Sequence, residues 1–187
     1  SEYQTSKVAI VGNYPPRKCG IATFTSDLRG ALEGMENGWL CPVVAVTEPG
    51  GNYAYPPEVR FEIPEADASS YLRAAEFLKV SHADVICLQH EFGIFGGPAG
   101  SYINTLLRRA GIPTVTTLHT VLAKPEPDQK RAFEELVERH QNLVIGTVAK
   151  MLGGAEGAED IAQQVFIRVW QSAPRYRPDA KFTTWLL

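Results

Sequence analysis

The chain has 187 residues, enough for one domain or for one domain with a small appendage. Hydrophobic residues make up 44% and charged residues 21%, and the net charge of −3 gives no sign of general affinity for nucleic acids. No apolar run approaches the roughly 18 residues that span a bilayer, and the N-terminus lacks the pattern of a signal peptide. The cysteines Cys19, Cys41 and Cys87 have no metal-like spacing. We therefore expect a cytoplasmic protein with reduced thiols and without a bound metal.

Residues 7–119 alternate between short β-branched apolar runs and segments with helical periodicity. The alternating pattern of residues 59–63 predicts an edge strand. Near-continuous apolar strands that alternate with helices predict an α/β fold, with a Rossmann-like parallel sheet covered by helices on both faces and followed by a C-terminal helical segment. In chain order, we predict strands at 7–12, 42–46, 59–63, 84–89 and 114–119, and helices at 21–32, 69–80 and 98–110.

Polar and glycine-rich loops follow three of these strands. Ligands of a parallel sheet bind beyond the carboxyl ends of its strands, and a glycine at a helix N-terminus lets backbone N–H groups approach an anion. The loops therefore predict a cleft for an anion or a sugar, although they match neither a Walker A loop nor a dinucleotide fingerprint. The alternative is that the glycines only form turns and that the polar side chains only face solvent. The candidate binding residues are Arg17, Lys18, Gly20, His90, Glu91, Gly96, Gly97 and His119.

Three segments, NYPPRKCGIATFTSDL, LQHEFGIFGG and TLHT, follow one another at predicted strand ends. Together they resemble the N-terminal, acceptor-binding domain of family 4 glycosyltransferases, which have the GT-B fold, over about residues 5–130. The resemblance implies that Gly20 lies near the donor phosphates or the acceptor, that His90 and Glu91 line the cleft, and that His119 lies near the reacting sugar. His119 is thus the candidate catalytic residue. Because such enzymes bind the nucleotide sugar in a second domain, we expect no turnover, and no nucleotide sugar as cofactor, unless a separate donor domain is supplied.

Residues 131–187 have the periodicity of helices. Apolar residues recur at three- and four-residue steps from 136 to 152, glycines interrupt the pattern at 153–157, and a second apolar stripe extends from Ile161 to Trp170. Glu159 and Asp160 precede this stripe, where a helix dipole favours acidic side chains. The pattern predicts a helical hairpin.

The segments AFEELVERHQNLVIGTVAKMLG, AEDIAQQVFIRVW and PRYRPDAKFTTWL resemble region 2 of extracytoplasmic-function sigma factors, in the sigma-70 family. The resemblance implies that the helix at 157–170 docks on core RNA polymerase and that the following loop contacts unstacked promoter bases. The alternative is that the tryptophans are core residues and that Asp160 only stabilises a helix terminus. The implied docking residues are Asp160, Gln163 and Gln164, and the implied DNA-binding residues are Tyr176, Arg177, Lys181 and Trp185.

The two resemblances meet at a joint between about 124 and 138, which predicts domains at 1–130 and 131–187. Three hypotheses remain open. The chain is an incomplete glycosyltransferase-like domain that binds a sugar or phosphosugar, a sigma-derived module that binds polymerase and promoter DNA, or a natural or engineered chimera without a selected function. The C-terminal helices are expected to pack on the sheet domain or to pair with a second copy of the chain.

Overall fold

A computed structural model describes residues 7–35, 39–120, 122, 124–138, 154, 156 and 157. The chain divides into two compact units, Ser1–His119 and Thr120–Leu187. Among the described residues, no helix is long and apolar enough to cross a membrane.

The first unit contains a five-stranded parallel sheet, which confirms the predicted α/β class with its Rossmann-like sheet. The strands lie side by side in the order β3-β2-β1-β4-β5. The prediction that residues 59–63 form an edge strand is correct, because β3 lies at one end of this order. The strands are β1 (Val8–Gly12), β2 (Val43–Thr47), β3 (Val59–Pro64), β4 (Val85–His90) and β5 (Thr114–Leu118).

Three α-helices connect the strands: α1 (Gly20–Glu33), α2 (Ala68–Val80) and α3 (Tyr102–Ala110). They cover both faces of the sheet. Leu28 and Leu32 of α1 pack on the face that carries Ile10 and Cys87. On α2, Phe77 contacts Phe61 of β3 at 5.4 Å between ring centroids, on the opposite face.

Local capping sets the helix boundaries. The Cys19 thiol accepts the N–H of Ala22 at the start of α1, and the Asp67 carboxylate accepts the N–H of Ser69 at the start of α2. The helix predicted at 98–110 is interrupted: Pro98–Gly100 form a 3₁₀ turn, and α3 begins only at Tyr102. The reason is that Ala99 and Gly100 have positive φ angles of 50° and 78°, which an α-helix does not accommodate.

In the second unit, residues 127–138 are helical. Ala132 and Leu136 are buried there, and Lys130 pairs with Glu134 at 3.7 Å. A helix here does not distinguish the glycosyltransferase-like part from the sigma-like part, so the joint stays a prediction. The proposed hairpin lies outside the described residues, together with the candidates Asp160, Gln163, Gln164, Tyr176, Arg177, Lys181 and Trp185.

Candidate functional site at the carboxyl edge of the sheet

The strand order predicts a ligand crevice between the carboxyl ends of β1 and β4. From β1 the chain proceeds towards β2 on one side, and from β4 it proceeds towards β5 on the other, so the connecting loops separate at this point. The two strands approach closely here: a Cβ on Gly12 would lie only 2.8 Å from the Cβ of Gln89. This contact requires a glycine at position 12.

The loop after β1 is held by Arg17. Its Nη1 donates a hydrogen bond to Asn13 Oδ1 at 3.1 Å and pairs with Glu48 Oε2 at 3.0 Å. Asn13 is only 1% exposed, so its side chain needs such a partner. Arg17 was predicted to attract an anion. In the structure it connects this loop to Glu48, the residue after β2. Lys18, the next residue, is exposed.

Gly20 is the first residue of α1, and it is exposed. No heavy atom of the described chain lies within 4 Å of the point that a Cβ would occupy there. Packing therefore does not explain this glycine. The N-terminus of a 14-residue helix carries partial positive charge, which favours an anion, although the N–H of Ala22 in this first turn already donates to the Cys19 thiol.

The glycines after β4 have a different explanation. The Gly96 N–H donates to the hydroxyl of Tyr71 at 2.8 Å, and a Cβ at this position would collide with the backbone oxygen of Glu65. Gly97 has a φ of 81°, and a Cβ there would lie 2.6 Å from the Tyr102 ring. Packing against Glu65, the residue after β3, accounts for Gly96, and packing against Tyr102 accounts for Gly97. The predicted contact of both glycines with a ligand stays a prediction.

His90 is enclosed, with 2% of its surface exposed. Its ring lies against Phe92 and Phe95, at centroid distances of 5.1 and 5.9 Å. Burial, with a smaller contribution from His119, lowers the pKa of His90 to about 4, so the ring is neutral at neutral pH. Its Nδ1 has no hydrogen-bond partner within the described part of the chain. The half-buried Glu91 accepts the N–H of Phe92 at 3.0 Å.

His119 lies next to the crevice, directly after β5. Its Nε2 is 3.0 Å from Gln89 Oε1, and its ring makes an edge contact with Phe24 of α1 at 5.1 Å. Its backbone N–H donates to the carbonyl of His90 at 2.9 Å. Burial lowers the pKa of His119, and the neighbouring Glu91 opposes that shift. The ring is therefore neutral and held by two contacts, and the backbone of His119 is fixed by a third.

Sequence reasoning missed Gln89, Asn13 and Phe24. Gln89 and Asn13 are almost fully buried at the ends of apolar strands. A polar side chain at the end of a buried strand was a usable signal, because it must find a partner inside the protein. Phe24 carried no such signal, since an aromatic residue on a helix ordinarily belongs to the core.

The opposite edge of the sheet contains a cavity of about 480 Å³. Lys7, Arg29, Glu58 and Phe77 are among its lining residues. We expected the main cleft at the carboxyl edge, and this cavity is at the amino ends of the strands. However, Arg29 lies between two carboxylates, Glu33 at 2.7 Å and Glu58 at 3.8 Å. Because these charged groups already pair with one another, the carboxyl edge remains the better candidate for the binding site. Among the described residues, no group of three or more His, Cys, Asp or Glu side chains is arranged to hold a metal.

The two units are characterised by different observations. The first unit belongs, by its sheet, to the broad class of Rossmann-like α/β folds. Residues 136–187 match the family model for sigma-70 region 2, which confirms the predicted sigma-like segment. The resemblance of residues 5–130 to glycosyltransferases stays a prediction.

Several bacterial sigma factors are similar to the same part of the chain. The RNA polymerase sigma-H factor of Pseudomonas aeruginosa is 37% identical over 57 residues, which are 30% of this chain and 30% of the relative. RNA polymerase sigma factor CarQ of Myxococcus xanthus is 41% identical over 56 residues, 30% of this chain and 32% of the relative. The ECF RNA polymerase sigma factor SigW of Bacillus subtilis is 36% identical over 55 residues, 29% of each protein. The chain spans about a third of the length of these relatives.

Proposed function

We propose that residues 136–187 form a sigma-type module that binds core RNA polymerase. The observation that carries this proposal is the match of this segment to sigma-70 region 2, supported by relatives that are 36–41% identical and are named as RNA polymerase sigma factors. Asp160, Gln163 and Gln164 supply the polymerase-docking face. Such a module acts in transcription initiation, which places the protein in the cytoplasm.

Retention of the full-length chain on immobilised core polymerase tests this proposal. Replacing Asp160 and Gln163 together by alanine removes a carboxylate and an amide from the docking face, and we expect a loss of affinity of about tenfold or more, as for central residues of an interface. The matched control is Glu156→Ala, which removes a carboxylate from an exposed position four residues earlier. Failure of the unaltered chain to bind, or equal binding of both variants, contradicts the proposal.

The same module is proposed to contact promoter DNA through the residues after the docking helix. Arg177 and Lys181 supply positive charge, and Tyr176 and Trp185 supply rings on which unpaired bases stack. Adding single-stranded promoter DNA to the complex with polymerase tests this contact. Tyr176→Ala is expected to weaken DNA binding while leaving polymerase binding unchanged.

We also propose that the first unit binds a phosphorylated sugar at its carboxyl edge. The observation that favours this function is the open space at Gly20, at the start of α1, one helical turn before Phe24, which the neutral ring of His119 contacts. An anion suits the helix N-terminus, and a hydroxyl group suits a neutral imidazole. The unit is expected to bind such a ligand without turning it over.

Calorimetric titration with glucose 6-phosphate tests this second function. Gly20→Ala places a methyl group in the open space and is expected to weaken binding. Gly30→Ala is the matched control, because Gly30 lies exposed on the same helix and also has no neighbour within 4 Å of its Cβ position. Binding that is unaffected by the Gly20 substitution argues against this site.

A further inference from the structure

We infer that Gln89 is a positioning residue for His119. Its side-chain oxygen holds the His119 ring as the tautomer protonated at Nε2 and leaves Nδ1 as an acceptor for a ligand hydroxyl. The inference rests on the sugar-binding function proposed for the first unit, and it adds the polar contact that selects a neutral hydroxyl group.

The first step concerns the orientation of Gln89. Its side chain is fully buried and its Cβ lies against Gly12. Its amide nitrogen donates to Cys87 Sγ at 3.4 Å, two residues earlier on the same face of β4. With the nitrogen directed at the sulfur, the amide oxygen is directed at His119. The reverse orientation would place the amide oxygen on the Cys87 thiol and the amide nitrogen on the ring, and it would reverse the tautomer.

The second step follows from the chemistry of an amide oxygen, which only accepts hydrogen bonds. Because Gln89 Oε1 is 3.0 Å from His119 Nε2, that nitrogen must carry the proton. A neutral imidazole has a single N–H, so Nδ1 presents a lone pair. Within the described part of the chain, the one hydrogen bond of the His119 ring is that of Nε2 with Gln89.

The third step concerns the charge of the ring. An imidazolium has no lone pair to offer, so an accepting Nδ1 requires a neutral ring. Burial favours the neutral form of His119. The charged group that acts on it is Glu91, which favours the charged form, while the neighbouring His90 is itself buried and neutral.

The last step places Nδ1 relative to the rest of the site. The ring of His119 contacts Phe24, and Phe24 lies one helical turn after Gly20 on the same face of α1. The His119 ring therefore contacts α1 about one helical turn after Gly20, the exposed first residue of the helix. A ligand with a phosphate at the N-terminus and a hydroxyl a few bonds away matches both groups, which is the chemistry of a sugar phosphate.

The tautomer can be measured directly in the full chain. Labelling histidine with ¹⁵N and recording long-range ¹H–¹⁵N correlations at pH 7.5 distinguishes a protonated from an unprotonated ring nitrogen. The sequence has four histidines, so the signals of His119 are assigned by their loss in a His119→Asn variant. We expect a protonated Nε2 and a bare Nδ1, whereas a protonated Nδ1 in the unaltered protein overturns the inference without any variant at Gln89.

Variants at Gln89 test its control of the ring. Gln89→Leu keeps the volume but removes the acceptor, so we expect a mixture of tautomers. Gln89→Glu retains an acceptor and adds a negative charge, so we expect the Nε2 tautomer with a raised His119 pKa. Thr117→Val is the matched control, because Thr117 neighbours Gln89 on β5, and it is expected to leave the tautomer unchanged. An unaltered tautomer in Gln89→Leu overturns the inference.

Titration with glucose 6-phosphate distinguishes a failure of this inference from a failure of the sugar-binding function on which it rests. We expect the ligand to shift the Nδ1 signal of His119 and to bind about 2- to 12-fold more weakly to Gln89→Leu, as for the loss of one hydrogen bond. If the tautomer is as stated but the ligand leaves Nδ1 unchanged, the sugar site is wrong while the control of the ring by Gln89 stands.

Discussion

The loops after β1 and β4 both contain polar residues and glycine, yet they use glycine for opposite purposes. In the loop after β4, Gly96 and Gly97 are covered by Glu65 and Tyr102. At the end of the loop after β1, Gly20 has no neighbour and faces open space. Both loops reach the carboxyl edge of the same sheet, where ligands bind. The difference teaches that a glycine in such a motif provides either close packing or access, and that only its surroundings distinguish the two.

The largest expected effect is acid destabilisation through His90, the last residue of β4, directly before the packed loop. Its pKa in the folded protein is about 4, below the ordinary 6.5. As the pH falls from 6.5 to 4, the unfolded chain takes up a proton at His90 that the folded chain does not bind. The contribution of His90 to stability is therefore lost in this window and is constant above it. A difference of about 2.5 pKa units corresponds to about 3 kcal/mol.

Urea unfolding at pH 7.5, 5.5 and 4 measures this effect. We expect His90→Leu to lose much less stability over that range than the unaltered protein. His82→Asn, a change at an exposed histidine with a positive φ of 54°, is expected to behave like the unaltered protein. Equal acid sensitivity of His90→Leu and the unaltered protein would mean that His90 does not control the stability of this loop.

A smaller loss is expected from Gly96→Ala. The new methyl group would meet the backbone oxygen of Glu65 and would lie 2.9 Å from the Tyr102 ring. A backbone carbonyl cannot move as easily as the end of a side chain, so we expect a loss of about 1–3 kcal/mol, as for an overpacked core. The urea midpoint of Gly96→Ala, relative to that of Gly30→Ala, is the measurement, and equal midpoints would remove the distinction between the two loops.

Within the loop after β1, Arg17→Met is expected to cost about 1–2 kcal/mol. The substitution keeps most of the apolar stem but leaves the buried side-chain oxygen of Asn13 without its donor. Lys18→Met is the control, because Lys18 is exposed, and its stability should hardly change. If Arg17→Met is as stable as Lys18→Met, the loop is not held by Arg17.

The smallest effect on stability is expected from Gly20→Ala. Alanine is favoured over glycine in a helix, so the free energy of unfolding should rise by up to about 1 kcal/mol, as it should for Gly30→Ala. Binding of glucose 6-phosphate should nevertheless weaken only in Gly20→Ala. A stability loss in Gly20→Ala would show that this position is packed after all, and the contrast between the loops would disappear.

Much of the first unit was predictable, because strands and helices differ in their apolar period. Each of the five predicted strands has its counterpart, and the alternating pattern of β3 correctly indicated an edge. The order of the other strands was not predicted, since an apolar run does not indicate its neighbours. The break at Ala99 was also missed, because a positive φ in alanine has no signal in the sequence.

The site was predictable only in part, because contacts between residues distant in sequence leave no local pattern. His119 was identified as a candidate, but its partner Gln89 was taken as the last residue of a strand. The roles of Gly96 and Gly20 depend on residues distant in sequence, such as Glu65, and no local pattern contains them. The C-terminal segment is different, because its motifs alone were enough to indicate sigma region 2, and the family match confirms that interpretation.

The edge strand β3 also affects how the molecule meets other chains. A strand at the end of a sheet presents backbone groups to which a foreign strand can add, which is a common route to aggregation. Here the strand carries exposed Arg60 and Glu62 and ends at Pro64, which has no N–H to donate. An incoming strand would meet two charged side chains and a missing donor. This edge of the sheet therefore resists the growth of intermolecular β-structure.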